Sequence, residues 1–201
     1  MKENIISTLN EKEKELLKIK TYKKNQVIFN EEEECTSIAI IIKGQISIST
    51  YTLLEKTYDI KTLNENDIFG TFLIFSSSPY YLGNVISLKD STIAFINKND
   101  LYTIISKNQS FYNSYMNLIS KSVMKLQGKV KILSQKTIRE KILFYIKNEI
   151  KRTKNKTIKI NSKEELAKIL NIPRPSLSRE LILLKEDGYI FYDRDTITYN
   201  F

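Results

Sequence analysis

Two arginines lie five positions apart in the segment NIPRPSLSRE, residues 171–180. The guanidinium of arginine is planar and always charged, and its fork of N–H donors matches a guanine edge or a phosphate. Two of the chain's three prolines stand on either side of Arg174. Proline is favoured in the first turn of a helix, where its missing N–H would have no helical partner. The segment therefore predicts a stiffened helix start that carries Arg174 and, further along, Arg179.

The residues around this segment predict a second helix just before it. Ser162-Lys163-Glu164-Glu165 has the spacing of a capping box, and Asn171 can take the left-handed conformation that ends a helix. After the prolines, Leu177, Leu181 and Leu184 form one apolar face. Two helices joined by a turn of about three residues have helix-turn-helix spacing.

A predicted hairpin follows the second helix. Gly188 is placed to cap that helix, and the strand-like runs 189–192 and 196–199 are separated by the turn Asp193-Arg194-Asp195. Such a hairpin would add a wing to the helix-turn-helix. Residues 136–201 are therefore predicted to form a winged helix-turn-helix domain.

This register predicts which side chains face away from the apolar surface. A recognition helix presents its N-terminal residues to base edges in the major groove, and a helix N-terminus also suits phosphate. The candidate DNA-binding residues are Arg174, Pro175, Ser176, Ser178, Arg179, Ser162 and Lys163. The alternative is that both arginines are ordinary solvated charge on a surface helix.

Another set of residues repeats at helical spacing between positions 109 and 133. Apolar side chains recur at alternating intervals of four and three residues over about three heptads, which is typical of an a/d coiled-coil seam. The seam residues are Tyr112, Met116, Ile119, Val123, Leu126, Val130 and Leu133. The pattern predicts a dimerisation helix at 109–135. The alternative is a long helix that packs on its own domain.

The first hundred residues show mainly strand periodicity. Apolar residues alternate with polar ones after Gly44, and a helix is expected only at residues 4–20 and again from about residue 99. The predicted strands are 37–42, 45–50, 56–63, 83–87 and 92–96. Several short strands at this spacing predict an antiparallel sandwich or barrel.

Composition excludes several classes of chemistry. The chain has 201 residues, no histidine, no tryptophan and one cysteine, so histidine-ligated metal, histidine acid–base catalysis and four-cysteine iron–sulfur clusters are excluded. No paired-carboxylate motif or glycine-rich phosphate loop is visible, and we assign no catalytic residue, metal site or cofactor. The absence of a membrane span, a secretory signal and a possible disulfide leads us to expect a cytoplasmic protein with no membrane partner.

The charge distribution favours a polyanionic partner. The net charge is +9, and residues 136–201 contain 15 basic and 9 acidic residues. The first 135 residues contain 17 basic and 14 acidic residues, so the last third carries most of the excess. A basic surface of this kind is expected of a nucleic-acid-binding domain, although lysine-rich surfaces also arise from AT-rich genomes.

The order of these regions resembles the cyclic AMP receptor protein family, the Crp/Fnr regulators, over nearly the whole chain. The resemblance is carried by QVIF (26–29), IKG (42–44), LNENDIFG (63–70) and the segment 166–190. It implies an α+β protein with an N-terminal antiparallel β-roll (a double-stranded β-helix or jelly roll) at 1–108. It also implies a homodimer that binds a palindromic DNA operator, a small-molecule effector of unknown identity, and RNA polymerase as a candidate partner.

The expected effector site departs from the family pattern. Cyclic-nucleotide-binding relatives have glutamate after the glycine that Gly70 matches and an Arg-Ser or Arg-Thr pair some ten residues later. Here Thr71 follows Gly70, and no arginine occurs between residues 1 and 135. Without a guanidinium a buried phosphate would lack its charged hydrogen bonds, so we predict that cyclic AMP does not bind. Gly70, Thr71, Tyr80 and Tyr81 remain candidate pocket residues, although the tyrosines can also simply pack.

The favoured function is a homodimeric, sequence-specific DNA-binding regulator of transcription. Pro175 falls where several relatives carry glutamate, so a relative's base preference is not transferred. The alternative function is a ligand-sensing or interaction module whose winged domain docks a protein. Cys35 is either a redox sensor or a buried thiol without function.

Overall fold

The computed structural model describes residues 4–51 and 57–200, and the predicted strand at 56–63 lies within them only from residue 57. The strands of the first part are β1 (Lys18–Tyr22), β2 (Val27–Phe29), β3 (Ser37–Lys43), β4 (Gln45–Tyr51), β5 (Thr57–Asn64), β6 (Ile68–Phe69), β7 (Asn84–Ser87) and β8 (Ser91–Asn97). The first helices are α1 (Glu11–Lys14), α2 (Lys98–Lys107) and α3 (Gln109–Leu133). Contacts divide the chain into two compact units, Met1–Ser120 and Lys121–Phe201.

The first unit is built on two four-stranded antiparallel sheets. Their strand orders are β1-β8-β3-β6 and β2-β7-β4-β5. Buried side chains of both sheets, such as Ile40 and Ile46, enter one hydrophobic core together with Phe111 and Tyr115 of α3. The predicted α+β class with an N-terminal antiparallel sheet domain is confirmed.

The turn between β3 and β4 shows why the sequence folds in this way. Gly44 has a φ of +104°, and a Cβ at this position would lie 2.1 Å from the Oγ of Ser91. Only glycine satisfies both the left-handed backbone and the close approach of Ser91. The tight turn predicted at this glycine is therefore confirmed.

The helix predicted at residues 4–20 is wrong. A short 3₁₀ turn at Ile5–Thr8 buries Ile5, and α1 ends after one turn. Residues Lys18–Tyr22 then pair antiparallel with β8 as an edge strand. Glutamate and lysine spacing favours a helix here, but the sheet edge offers a full row of backbone partners that outweighs this weak local preference.

The second unit consists of three helices and a small sheet. Its elements are α4 (Ile138–Thr153), β9 (Thr157–Lys159), α5 (Lys163–Leu170), α6 (Arg174–Glu186), β10 (Ile190–Tyr192) and β11 (Thr196–Tyr199). The strands form an antiparallel sheet in the order β10-β11-β9. Leu170, Leu177 and Leu181 are fully buried in the core of this unit, as their spacing predicts.

Side chains cap the amino ends of two helices of this unit, and the cap predicted at Ser162 is confirmed. The Thr137 hydroxyl accepts from the Glu140 amide, and the Glu140 carboxylate accepts from the Thr137 amide, which completes a capping box. Ser162 caps α5 by accepting from the Glu165 amide, although the carboxylate of Glu165 accepts from Asn161 instead of closing a box. Such caps form among neighbouring residues, so they can be predicted without knowledge of the tertiary fold.

Candidate nucleic-acid interface

A sharp three-residue turn connects α5 to α6. Asn171 has φ 51° and ψ 55°, the left-handed conformation predicted for it, and the amide of Ile172 donates to the Ala167 carbonyl at 3.1 Å. Pro173 is the N-cap residue of α6, and Pro175 lies within the first turn. The predicted helix start is therefore confirmed.

The N-terminal half of α6 presents two arginines to solvent. Arg174 and Arg179 are exposed, while Leu177 and Leu181 between and beyond them are buried. Neither guanidinium forms an ion pair or hydrogen bond with another residue of the described chain. Both therefore keep their full hydrogen-bonding capacity for a partner molecule.

The carboxylate next to Arg179 is held away by a salt bridge. Glu180 accepts from the Nε of Arg139 in α4 at 2.6 Å, and a second nitrogen of Arg139 lies 2.7 Å from Asp187. The hydrogen bonds to Glu180 and then to Asp187 raise the pKa of Arg139. The one carboxylate in the N-terminal half of α6 is thus neutralised by the protein itself.

The amino end of α6 lacks the usual side-chain cap. Among the described residues no side chain accepts from the first-turn amides, and the first turn contains no acidic residue. Since unpaired amides and the helix dipole both favour a negative group, this end is suited to bind a phosphate. Ser176 and Ser178 are half-buried beside it.

The side chains at the start of α5 make contacts within the protein, unlike the two arginines of α6. The Ser162 hydroxyl is used as the cap, and the Lys163 ammonium lies 4.8 Å from the centroid of the Tyr192 ring. Glu164 and Glu165 occupy the first turn, which opposes an approaching phosphate. The DNA contacts of Ser162 and Lys163 stay predictions.

The hairpin turn presents an arginine that sequence reasoning did not single out. The Asp193 carboxylate accepts from the amides of Asp195 and Thr196, and these bonds lower its pKa. Arg194 stands exposed between the two aspartates. The sequence does contain a signal for it, because Arg194 is the one basic residue of the predicted wing, residues 189–199.

Basic residues are exposed on the loop between α4 and β9. Arg152 is paired with Glu149 in the preceding turn of α4. Lys154, in the left-handed conformation at the end of α4, and Lys156 are exposed. These lysines add positive charge to the second unit.

Helix α3 has a buried face and an apolar exposed face. Phe111 and Tyr115 are buried in the first unit, which agrees in part with the alternative of packing on its own domain. The seam residues nearer the carboxyl end of α3 are nevertheless uncovered, since Val123, Leu126 and Val130 are 51%, 64% and 56% exposed. Such a row of apolar side chains is a candidate protein-binding surface.

The candidate effector residues do not share one environment. Gly70 has a φ of +82°, and Thr71 begins the turn that follows. Tyr80 is about half exposed, whereas Tyr81 is buried and stacks on Phe29 with centroids 4.5 Å apart. Tyr81 therefore packs in the core, and a pocket formed by all four residues stays a prediction.

Cys35 lies in the same buried region. Its thiol is within hydrogen-bonding distance of the carbonyls of Ser37 (3.3 Å) and Gly70 (3.8 Å), and burial raises its pKa. The Tyr81 hydroxyl has no partner of ordinary hydrogen-bond geometry among the described residues. Its pKa is raised, first by burial and then by the Cys35 thiol. A buried thiol with a raised pKa is a poor nucleophile, which favours the structural interpretation of Cys35.

The described residues contain neither a candidate membrane span nor a candidate metal site. None of the helices in 4–51 and 57–200 is both long and apolar enough to cross a bilayer. Within the same ranges no three Cys, Asp or Glu side chains are grouped so that they could hold a metal ion.

Comparison with known proteins gives consistent matches. The sequence profile of the cyclic nucleotide-binding domain matches residues 19–108. The anaerobic regulatory protein of Bacillus subtilis (strain 168) is 26% identical over 176 residues, which is 85% of this chain and 74% of that protein.

Solved structures show the same fold. The CooA mutant from Carboxydothermus hydrogenoformans superimposes with a TM-score of 0.65 at 15% identity, over 99% of this chain and 92% of that one. A Crp/Fnr-family transcriptional regulator from Eubacterium rectale gives a TM-score of 0.51 at 18% identity, over 97% and 92% of the two chains.

These matches confirm the resemblance to the Crp/Fnr family. The chain thus resembles Crp/Fnr-type transcription regulators, and residues 19–108 match the cyclic nucleotide-binding domain. Thr71 follows Gly70 in the matched region, and residues 19–108 contain no arginine.

Proposed function

We propose that this chain is a homodimeric regulator that binds a palindromic DNA operator through its second unit. In this proposal α5, α6 and the three-stranded sheet form a winged helix-turn-helix, with α6 as the recognition helix. The protein has no catalytic role and acts in the cytoplasm, where its DNA target lies.

The supporting observation is the amino end of α6. Two exposed arginines without internal partners stand beside a helix terminus whose amides have no side-chain cap. Arg179 would read guanine, Arg174 would bind guanine or phosphate, and the free amides would bind phosphate. The neighbouring carboxylate of Glu180 does not oppose this, because Arg139 neutralises it.

Other basic residues would position the domain on the duplex. Lys154 and Lys156 precede β9, and Arg194 lies at the tip of the hairpin, all exposed. Contacts to phosphate fix the orientation of a protein on DNA without reading its sequence. We assign this role to the two lysines and to Arg194.

A second copy of the chain would cover the exposed seam of α3. The exposed residues Val123, Leu126 and Val130 continue the same heptad spacing as Tyr112 and Met116. A seam of period 3.5 is what a partner helix buries in a coiled coil. Pairing would present two α6 helices to half-sites about 34 Å apart, one turn of the duplex.

The effector is not cyclic AMP in this proposal. The matched domain lacks any arginine, and Tyr81, in the candidate pocket region, is packed into the core. The chemical identity of an effector is not assigned.

Selection of duplexes from a random pool by the purified chain tests this function. We expect a palindromic consensus with two half-sites and an affinity that falls steeply with salt, because each phosphate neutralised releases counterions. A pool without enrichment, or binding with no salt dependence, would contradict DNA binding. It would favour the alternative that the second unit docks a protein.

A further inference from the structure

The exposed side of α6 that lies opposite its buried leucines carries one proline, Pro175, and one arginine, Arg179; we call these two residues the outer stripe. Pro175 and Arg179 are one turn apart on the side opposite the buried Leu177, Leu181 and Leu184, and both are exposed. The one carboxylate among residues 174–182 is Glu180, which is bound to Arg139. No asparagine, glutamine or aspartate occurs in that stretch.

The side chains available in this stretch limit which bases the outer stripe can distinguish. Arginine pairs with guanine, whereas bidentate recognition of adenine requires asparagine or glutamine, and cytosine is selected by a carboxylate. Pro175 has neither an N–H nor a polar side-chain atom, so it can only make apolar contacts. The apolar group that a base exposes in the major groove is the C5-methyl group of thymine.

The geometry of the helix places this contact next to the guanine. Residues four positions apart rise by about 6 Å along a helix, whereas successive bases are about 3.4 Å apart. The ring of Pro175 would therefore lie within about two base steps of the guanine bound by Arg179. The proline is also rigid, since its φ is fixed and it occupies the first helical turn.

We propose that Pro175 is a specificity-determining residue that reads the methyl group of a thymine beside the guanine recognised by Arg179. This inference rests on the proposed function, because it requires α6 to enter the major groove. It adds to the proposed function the identity of one base, a thymine, in each half-site of the operator.

Replacement of thymine by uracil tests this contact because it removes only the methyl group. In the duplex selected by the wild-type chain, each thymine of one half-site is replaced in turn, and the Kd is measured. One replacement within about two steps of the guanine should raise the Kd about fourfold, the effect of losing one buried methyl group.

The variants Pro175→Ser and Pro173→Ser separate the contact from the stiffness of the helix. Pro173 is also exposed, but it is the N-cap residue, where serine is well accepted. The uracil effect should disappear in Pro175→Ser and persist in Pro173→Ser.

The possible outcomes separate this inference from the proposed function. If no thymine of the half-site shows a uracil effect, or if the effect is unchanged in Pro175→Ser, Pro175 does not read a methyl group. DNA binding itself would stand if the selected duplex still requires Arg179. If the chain selects no duplex, both proposals are wrong.

Discussion

Arg139 and Arg179 show how the partners of a side chain decide its role. Arg139 lies in the first turn of α4 and binds two carboxylates of the α6 region, so it stabilises the unit. Arg179 lies on the exposed side of α6 without such a partner. The guanidinium group of Arg139 thus stabilises the folded unit, whereas that of Arg179 is available to a ligand.

The variant Arg179→Ala should lose specificity more than general affinity for DNA. We expect a cost of roughly 1–3 kcal/mol on the selected operator, because a bidentate guanine contact is removed. Little change is expected on random duplexes. The Kd values of the variant and of wild type, measured on both duplexes at fixed salt, check this.

The matched control is Lys154→Ala or Lys156→Ala. Each should weaken binding to operator and random duplexes about equally and lower the salt slope by about one. Equal losses on both duplexes for Arg179→Ala would refute its role as a base reader.

Two buried tyrosines of the first unit should respond differently to loss of their hydroxyl groups. Tyr115 donates to the Thr71 carbonyl at 3.5 Å, whereas Tyr81 makes no hydrogen bond of ordinary geometry with the described residues. At pH 7 Tyr81→Phe should therefore leave the free energy of unfolding unchanged or raise it by up to about 1 kcal/mol. Tyr115→Phe should not raise it. Urea unfolding measures both.

The same two residues predict a loss of stability at alkaline pH. Burial raises the pKa of Tyr115 to about 12, and it also raises the pKa of Tyr81. The unfolded chain releases these protons at a pH of about 10, so their contribution is complete below pH 10 and is lost as the pH rises towards 12. The double variant Tyr81→Phe/Tyr115→Phe should lose less stability between pH 9 and pH 11 than wild type does. An identical pH dependence of the two proteins would contradict this.

At the scale of elements, α6 is positioned by one apolar face. Leu177, Leu181 and Leu184 are fully buried against the core of the second unit, whereas Leu183 is 41% exposed. The helix is thereby fixed with its arginines outward. Its orientation follows from where the leucines are buried, independently of the arginines themselves.

Leu181→Ala should destabilise the second unit by about 2–5 kcal/mol, since it creates a cavity in a packed core. Leu183→Ala removes the same atoms from a partly exposed site and should change stability by no more than about 0.5 kcal/mol. Thermal or urea unfolding of both variants measures the difference. Equal destabilisation would show that the assigned register of α6 is wrong.

At the scale of the whole molecule, the proposed function requires two copies. The seam residues Val123, Leu126 and Val130 of α3 are more than half exposed in the single chain, whereas Ile119 is half-buried against the core of the first unit. A palindromic operator can be read only if two recognition helices are held together. Dimerisation and DNA binding are therefore expected to fail together.

The variant Leu126→Glu should convert the dimer to a monomer. It places a charge in the seam, where burial in the paired helices would be costly. Met124→Glu is the control, because Met124 lies two positions before Leu126, is 66% exposed and is outside the seam. Sedimentation velocity and operator binding should change for the first variant and not for the second. A wild-type chain that is monomeric throughout would refute the proposed pairing.

The sequence by itself determined the features that depend on neighbouring residues. The helix starts at Ser162 and Pro173, the left-handed Asn171 and the turn at Gly44 were predicted correctly, because caps and tight turns form within a few positions of the chain. The long helix at 109–133 was predicted for the same reason, since its spacing repeats locally.

Only the tertiary structure decided the features that join distant residues. Lys18–Tyr22 became a strand because β8 offered an edge, and Glu180 was neutralised by an arginine 41 positions away. Burial of Tyr81 and Cys35 likewise depended on sheets that meet only in the folded chain. Such contacts arise from the packing of separate elements, so no local pattern in the sequence specifies them.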